Sequence, residues 1–170
     1  MDVYLATLIY CLQEDRILLM HRNKEPNLGL WTGLGGKLVL GEAPYTCANR
    51  ELYEESGFQA GQMIDRGVVN IVSKLGGYQW LLFVFVATDI QGNLQVDKRE
   101  GDITWCQLST AHKLPMPQAD QLFFPHVTDL DSPRYSASFV FDGQGTLIKT
   151  EEYTNSHSSP SAKRVQTGYA

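Results

Sequence analysis

Residues 36–58 read GKLVLGEAPYTCANRELYEESGF. Pro44 suits the first turn of a helix, Gly57 suits the position just past its end, and neither Gly nor Pro falls between them. A helix over residues 43–56 is therefore expected. Tyr45, Ala48 and Leu52 recur at three- and four-residue steps and give it an apolar face. Glu51, Glu54 and Glu55, spaced i, i+3 and i+4, share a different face. With Glu42, these residues gather four carboxylates and one guanidinium, Arg50, into a single loop–helix unit. Arg50 and Glu54 form an ordinary i, i+4 pair, and many acidic helix faces are merely solvated. Three acids crowded on one face repel each other, however, and a purely structural helix would offset them with lysine. Hard oxygen ligands at this density suit Mg²⁺, which binds through a few carboxylates together with substrate phosphates. The Gly35-Gly36 pair lies one short strand and turn before the helix, where a backbone can approach a ligand closely.

Working outward, residues 3–11 and 16–21 are rich in β-branched, leucine and aromatic side chains and read as two strands joined by a polar turn. Residues 23–34 carry Pro26, Asn27, Gly29 and Gly33 and read as a loop, followed by a brief strand over 37–40. Strands are expected over 68–74 and 78–88; within the second, WLLFVFVA (80–87) is continuously apolar, as for a strand covered on both faces. Another strand is expected over 103–108, then a short helix capped by Ser109 and a partly helical stretch over 119–127. A hairpin over 135–141 and 146–150 turns at Asp142-Gly143-Gln144-Gly145. The sum is a strand-rich α/β domain over 1–152, with residues 153–170 a polar, disordered tail.

The bulk composition narrows the function. A chain of 170 residues is long enough for one well-packed core. A formal charge of -5 with a pI near 5.3 argues against an extended nucleic-acid face, which needs clustered Lys and Arg, but not against a pocket with a few cations for a free nucleotide. The longest strongly apolar run is too short to span a bilayer as a helix, and no leader pattern stands at the N-terminus, so the expected compartment is the cytoplasm. Cys11, Cys47 and Cys106 are scattered without a CxxC pair, which speaks against a disulfide framework or a zinc site. All three read as small buried hydrophobes.

Gly36 to Phe58 matches the Nudix box at every specified position, and the chain is identified by it as resembling the Nudix hydrolases. LGLWTGLGGK before the box, Glu100 followed by DITW after it, and QLFFPHV with YSASFVFDG further on resemble the MutT branch, above all its 8-oxo-dGTP diphosphatases. The likeness covers residues 3–150. It implies an α/β/α sandwich built on a mixed β-sheet, and hydrolysis of a nucleoside diphosphate linked to another moiety with Mg²⁺ or Mn²⁺. It further implies that Glu51, Glu54 and Glu55 bind metal with the Gly36 carbonyl, and that Arg50 orients one of these glutamates. Glu42 and Glu100 are the remaining candidates for ligand or general base. The metals neutralise the polyphosphate and activate a water for attack on phosphorus.

Arg22, Lys24 and Lys37 are the expected phosphate contacts, with ordinary surface cations the equal alternative; His21 reads as structural. In base recognition the chain departs from its animal relatives, which carry Asn where this sequence has Thr32. They also have two aspartates and a stacking Trp in the segment of Met116 to Asp120, of which Asp120 alone is kept. A Thr hydroxyl offers a purine edge less than an Asn amide does. Trp31, Phe123 and Phe124 are candidates for stacking on a base, and equally for the core. The expected activity is conversion of a nucleoside triphosphate, favouring 8-oxo-dGTP, to monophosphate and pyrophosphate. The alternatives are hydrolysis of ADP-ribose, a nucleotide sugar or a capped RNA end, and, ranked lower, non-catalytic nucleotide sensing.

Overall fold

A computed structural model describes residues 1–95 and 99–155. In chain order the elements are β1 (Asp2–Gln13), β2 (Arg16–Arg22), β3 (Trp31–Thr32), α1 (Pro44–Ser56), β4 (Gln59–Ser73), β5 (Tyr78–Gln91), β6 (Gly101–Gln107), α2 (Leu108–Ala111), α3 (Gln118–Thr128), β7 (Arg134–Phe141) and β8 (Leu147–Asn155). The strands form one mixed sheet in the order β3-β2-β1-β5-β4-β7-β8, with β6 pairing β2. β1 runs parallel to β5 and β4 parallel to β7; the other pairings are antiparallel.

The period-2 alternation of β1 sorts its side chains between two cores. Leu8, Tyr10 and Leu12 pack on one face with Ala119, Phe123, Phe124 and Val127 of α3. Ile9 and Cys11 pack on the other with Ala48 and Leu52 of α1. Helices thus cover both faces, and the expected α/β/α sandwich is what the sheet builds. Among the described residues no helix is long and apolar enough to cross a membrane.

Three local differences from the sequence reading have physical causes. The stretch after Gly36 is no strand: it makes the isolated bridge Ala6↔Lys37 and the bond from Leu38 N–H to Leu5 O, then turns at Gly41, whose φ is 82°. β4 begins at Gln59 rather than near 68, because pairing with the long β5 carries a polar segment that its own composition would leave as loop. The apolar run in β5 is covered on both faces only over Val84 to Ala87, where the helices cross; residues 78–83 are half-buried. The β4–β5 register shifts between Asp65 and Gly67, and a side chain at Gly67 (φ 138°) would collide with the Tyr135 carbonyl.

Arg66, at this bulge, is buried and donates to the carbonyls of Val127 (3.0 Å), His126 (3.3 Å), Asp129 (2.8 Å) and Ser132 (2.7 Å). It thereby satisfies the open C-terminus of α3. β8 continues to Asn155, past the expected domain boundary at 152, and the rest of the expected tail, 156–170, lies outside the described residues.

Candidate active site

α1 starts at Pro44 and ends on Gly57 in the left-handed conformation (φ 74°), as its sequence requires. Its buried stripe is Cys47, Ala48 and Leu52. Tyr45, expected on that stripe, is instead exposed and meets Phe85 at its edge, ring centroids 6.5 Å apart. Burying Leu52 contributes on the order of 1.5–3 kcal/mol, and it is this packing that holds the glutamate face against the Gly35-Gly36 turn. The turn itself is fixed by β1, through Thr7 N–H to Gly36 O (2.9 Å). Any side chain at Gly36 would occupy the space of the Glu51 carboxylate.

Arg50 organises the acids. It grips Glu42 through both Nε and Nη2 (each 2.8 Å) and donates through Nη1 to Glu51 (2.6 Å) and Glu54 (3.2 Å). Two parallel N–H···O bonds to one carboxylate fix direction as well as distance. The fork holds Glu42 down to about 2, and Arg50 is itself raised by the same bond. Glu55 accepts the Gly35 N–H at 2.8 Å, yet burial, reinforced by Glu51 and Glu100, pushes it up to about 8. Burial raises Glu51 as well. Across the cleft Glu100 is paired with Lys24 (3.0 Å) and Arg22 (3.4 Å).

A cleft of about 340 Å³ is lined by Met20, Lys24, Gly35, Gly36, Lys37, Glu51, Glu54, Glu55, Arg99 and Glu100. The five expected metal-site residues, Gly36, Glu51, Glu54, Glu55 and Glu100, therefore share one cavity. Among the described residues no group of three or more acids, histidines or cysteines is placed to hold a metal ion as it stands; Arg50, the Gly35 amide and Lys24 each hold one or more of the acids. The donor set still fits a divalent cation. It offers hard oxygens, and two of its carboxyls are forced toward the neutral form by burial, a cost that a cation would relieve.

The cationic candidates divide. Lys24 and Lys37 line the cleft; Arg22 is tied by Nε to the Pro26 carbonyl (2.8 Å) and reaches it only through Glu100. Glu42 acts from behind Arg50. Arg99 and Met20 line the cleft without having been expected there, and adjacency to Glu100 is the one sequence signal Arg99 carries.

The expected base-recognition residues lie apart from this lining. Thr32 is buried on β3 opposite Met20. Asp120 is buried in the first turn of α3, where desolvation pushes it up to about 7. Near it, the Tyr10 hydroxyl is buried with no hydrogen-bond partner among the described residues, and burial and the Asp120 charge both raise it. Tyr10 was not anticipated, because its hydroxyl sits inside an apolar strand. Phe123 and Phe124 are core, while Trp31 stacks on His21 at 4.8 Å. His21 also donates from Nε2 to the Gly29 carbonyl (3.1 Å), a structural use of the ring.

Known proteins resemble this chain in sequence and fold. A family model described as the NUDIX domain matches residues 4–127. The uncharacterized Nudix hydrolase YvcI of Bacillus subtilis is 30% identical over 156 residues, 89% of each chain. The oxidized purine nucleoside triphosphate hydrolase of Danio rerio is 30% identical over 148 residues, 85% of this chain and 91% of that one. The crystal structure of the mutator MutT protein from Bacillus halodurans superposes with a TM-score of 0.77 at 26% identity, covering 88% of this chain and 97% of that one. A family match over most of the chain and a relative 30% identical over 89% of both chains show that this chain belongs to the Nudix hydrolase family.

Proposed function

We propose that the protein is a divalent-cation-dependent pyrophosphohydrolase of nucleoside triphosphates, releasing monophosphate and pyrophosphate, with an oxidised purine such as 8-oxo-dGTP as favoured substrate. The observation that carries this reading is one cleft with two chemistries. Glu51, Glu54, Glu55, Glu100 and the Gly36 carbonyl supply oxygen ligands, and Lys24, Lys37 and Arg99 supply positive charge for phosphates. A cation held by these oxygens, Mg²⁺ with Mn²⁺ as the alternative, supplies charge neutralisation and an activated water. The chain's own residues do the rest. Arg50 aims Glu51 and Glu54, Glu42 locks Arg50, and the Gly35 amide holds Glu55.

The purine preference rests on Asp120 with Thr32, and on the 30% identity to the oxidized purine nucleoside triphosphate hydrolase. A carboxyl poised near neutrality can donate or accept at a base edge, which suits an altered purine whose donor pattern differs from guanine's. A nucleotide-pool role of this kind belongs in the cytoplasm. The test is a turnover screen with Mg²⁺ across 8-oxo-dGTP, the ordinary dNTPs, ADP-ribose and nucleotide sugars. The expected result is 8-oxo-dGTP first, with pyrophosphate as co-product. Turnover of ADP-ribose above every triphosphate would remove the purine-sanitising reading and keep the hydrolase.

A further inference from the structure

Lys37 stands apart from the other cations of the cleft. Lys24 is paired with Glu100, and Arg50 is spent on three glutamates. Among the described residues no carboxylate pairs with Lys37. Its ammonium lies instead 3.8 Å from the ring centroid of Tyr4 and 5.4 Å from that of Trp80. The sheet dictates this. Tyr4 and Trp80 are register partners on the parallel strands β1 and β5, with ring centroids 4.7 Å apart. Lys37 bridges Ala6, so Tyr4 is its diagonal neighbour two residues along the same strand face, within reach of a long side chain. The Tyr4 hydroxyl donates to Asp2 at 3.3 Å, which steadies the ring. An aromatic face attracts an ammonium without removing its charge, whereas a carboxylate partner would compete with a phosphate for it.

We propose that Tyr4 and Trp80 are positioning residues that hold the Lys37 ammonium, still un-neutralised, at the lip of the cleft for a phosphate of the nucleotide. This rests on the proposed phosphate chemistry of the same cleft. It assigns these two rings a role in polyphosphate affinity, distinct from base recognition at Thr32 and Asp120.

Calorimetric titration with inorganic pyrophosphate and Mg²⁺ tests it, because binding needs no turnover. If the wild-type protein hydrolyses no anhydride, the proposed function fails while this measurement still stands. Lys37→Met is expected to weaken pyrophosphate about fivefold, and Tyr4→Leu/Trp80→Leu to match it, since leucine keeps apolar cover but has no ring quadrupole. Tyr4→Phe/Trp80→Phe, which keeps both rings, is expected to bind within about twofold of wild type. In a Lys37→Met background the leucine pair should add nothing further. In turnover assays the leucine pair should raise KM and leave kcat nearly unchanged. Single Tyr4→Leu serves if the double variant fails to fold. Wild-type protein that does not bind pyrophosphate, leucine variants that bind like wild type, or a leucine effect that persists undiminished without Lys37 would each overturn the proposal.

Discussion

The two ends of the proposed substrate site are built on opposite principles. At the cleft end, α1 presents more negative charge than its own cations offset, and the surplus is held in place by Arg50 and the Gly35 amide. At the other end, Thr32, Asp120 and Tyr10 are buried polar groups, the Tyr10 hydroxyl without a partner among the described residues. An open, overcharged cleft suits a reaction common to many substrates. Buried, undersatisfied polar groups discriminate, because the wrong ligand leaves them unpaired. On the proposed reading, reaction and choice of substrate are separable, and substitutions at the two ends should fail in different ways.

The largest effect belongs to the glutamates. Glu54→Gln and Glu55→Gln are expected to lower kcat by about 10²- to 10³-fold on every substrate alike, as for loss of a ligand to the cation that stabilises transition-state charge. Steady-state kinetics on two dissimilar substrates checks this, and a Glu54→Gln enzyme as fast as wild type would refute the metal assignment. Arg50→Ala, which removes the organiser and leaves the ligands, should weaken cation affinity by about 10- to 100-fold, measured by titrating Mg²⁺ against activity. Asp120→Asn acts at the other end. It should change the ratio of 8-oxo-dGTP to dGTP turnover by about tenfold or more, with kcat on the poorer substrate little altered. Uniform loss on both substrates would erase the distinction between the two ends.

The smallest effect is on stability and has a definite sign. Glu55 is raised to about 8 and Asp120 to about 7 in the folded chain, so the native state keeps protons that the unfolded state has already lost. Stability of the cation-free protein should therefore fall as pH rises from the ordinary carboxylate range to about 8, and level off above it. Thermal melts in a chelator should show Tm dropping by about 5 °C or more over that window. Glu55→Gln should reduce the slope to the share that Asp120 contributes, and added Mg²⁺ should restore stability to the wild type, most of all at the alkaline end. Proton release on cation binding follows from the same shifts.

Much of the cleft end could be read from the chain because its information is local. Pro44, Gly57 and the spacing of Glu51, Glu54 and Glu55 fix helix bounds and facing within fourteen residues, from Pro44 to Gly57. Tyr45 misled because Cys47, a residue of weaker apolar signal, takes the buried stripe in its place. The other end is non-local. Nothing near Tyr10 in sequence announces that α3 will bring a carboxylate toward its hydroxyl, and nothing in QAGQMIDR (59–66) announces a strand whose order comes from β5. Arg99 reaches the cleft from a connection without periodicity, so its place could be known only once β6 had been paired with β2.

The two-pronged grip of Arg50 on Glu42 has a practical corollary. Glu42 stays ionised down to about 2, whereas Glu51 and Glu55 take up protons at far milder acidity. Between those limits a cation held by the proposed ligands should be released while the bond between Arg50 and Glu42 persists. Brief acidification followed by neutralisation in a different salt would then be a route to swapping one metal for another, and so to asking which ion the proposed site works best with.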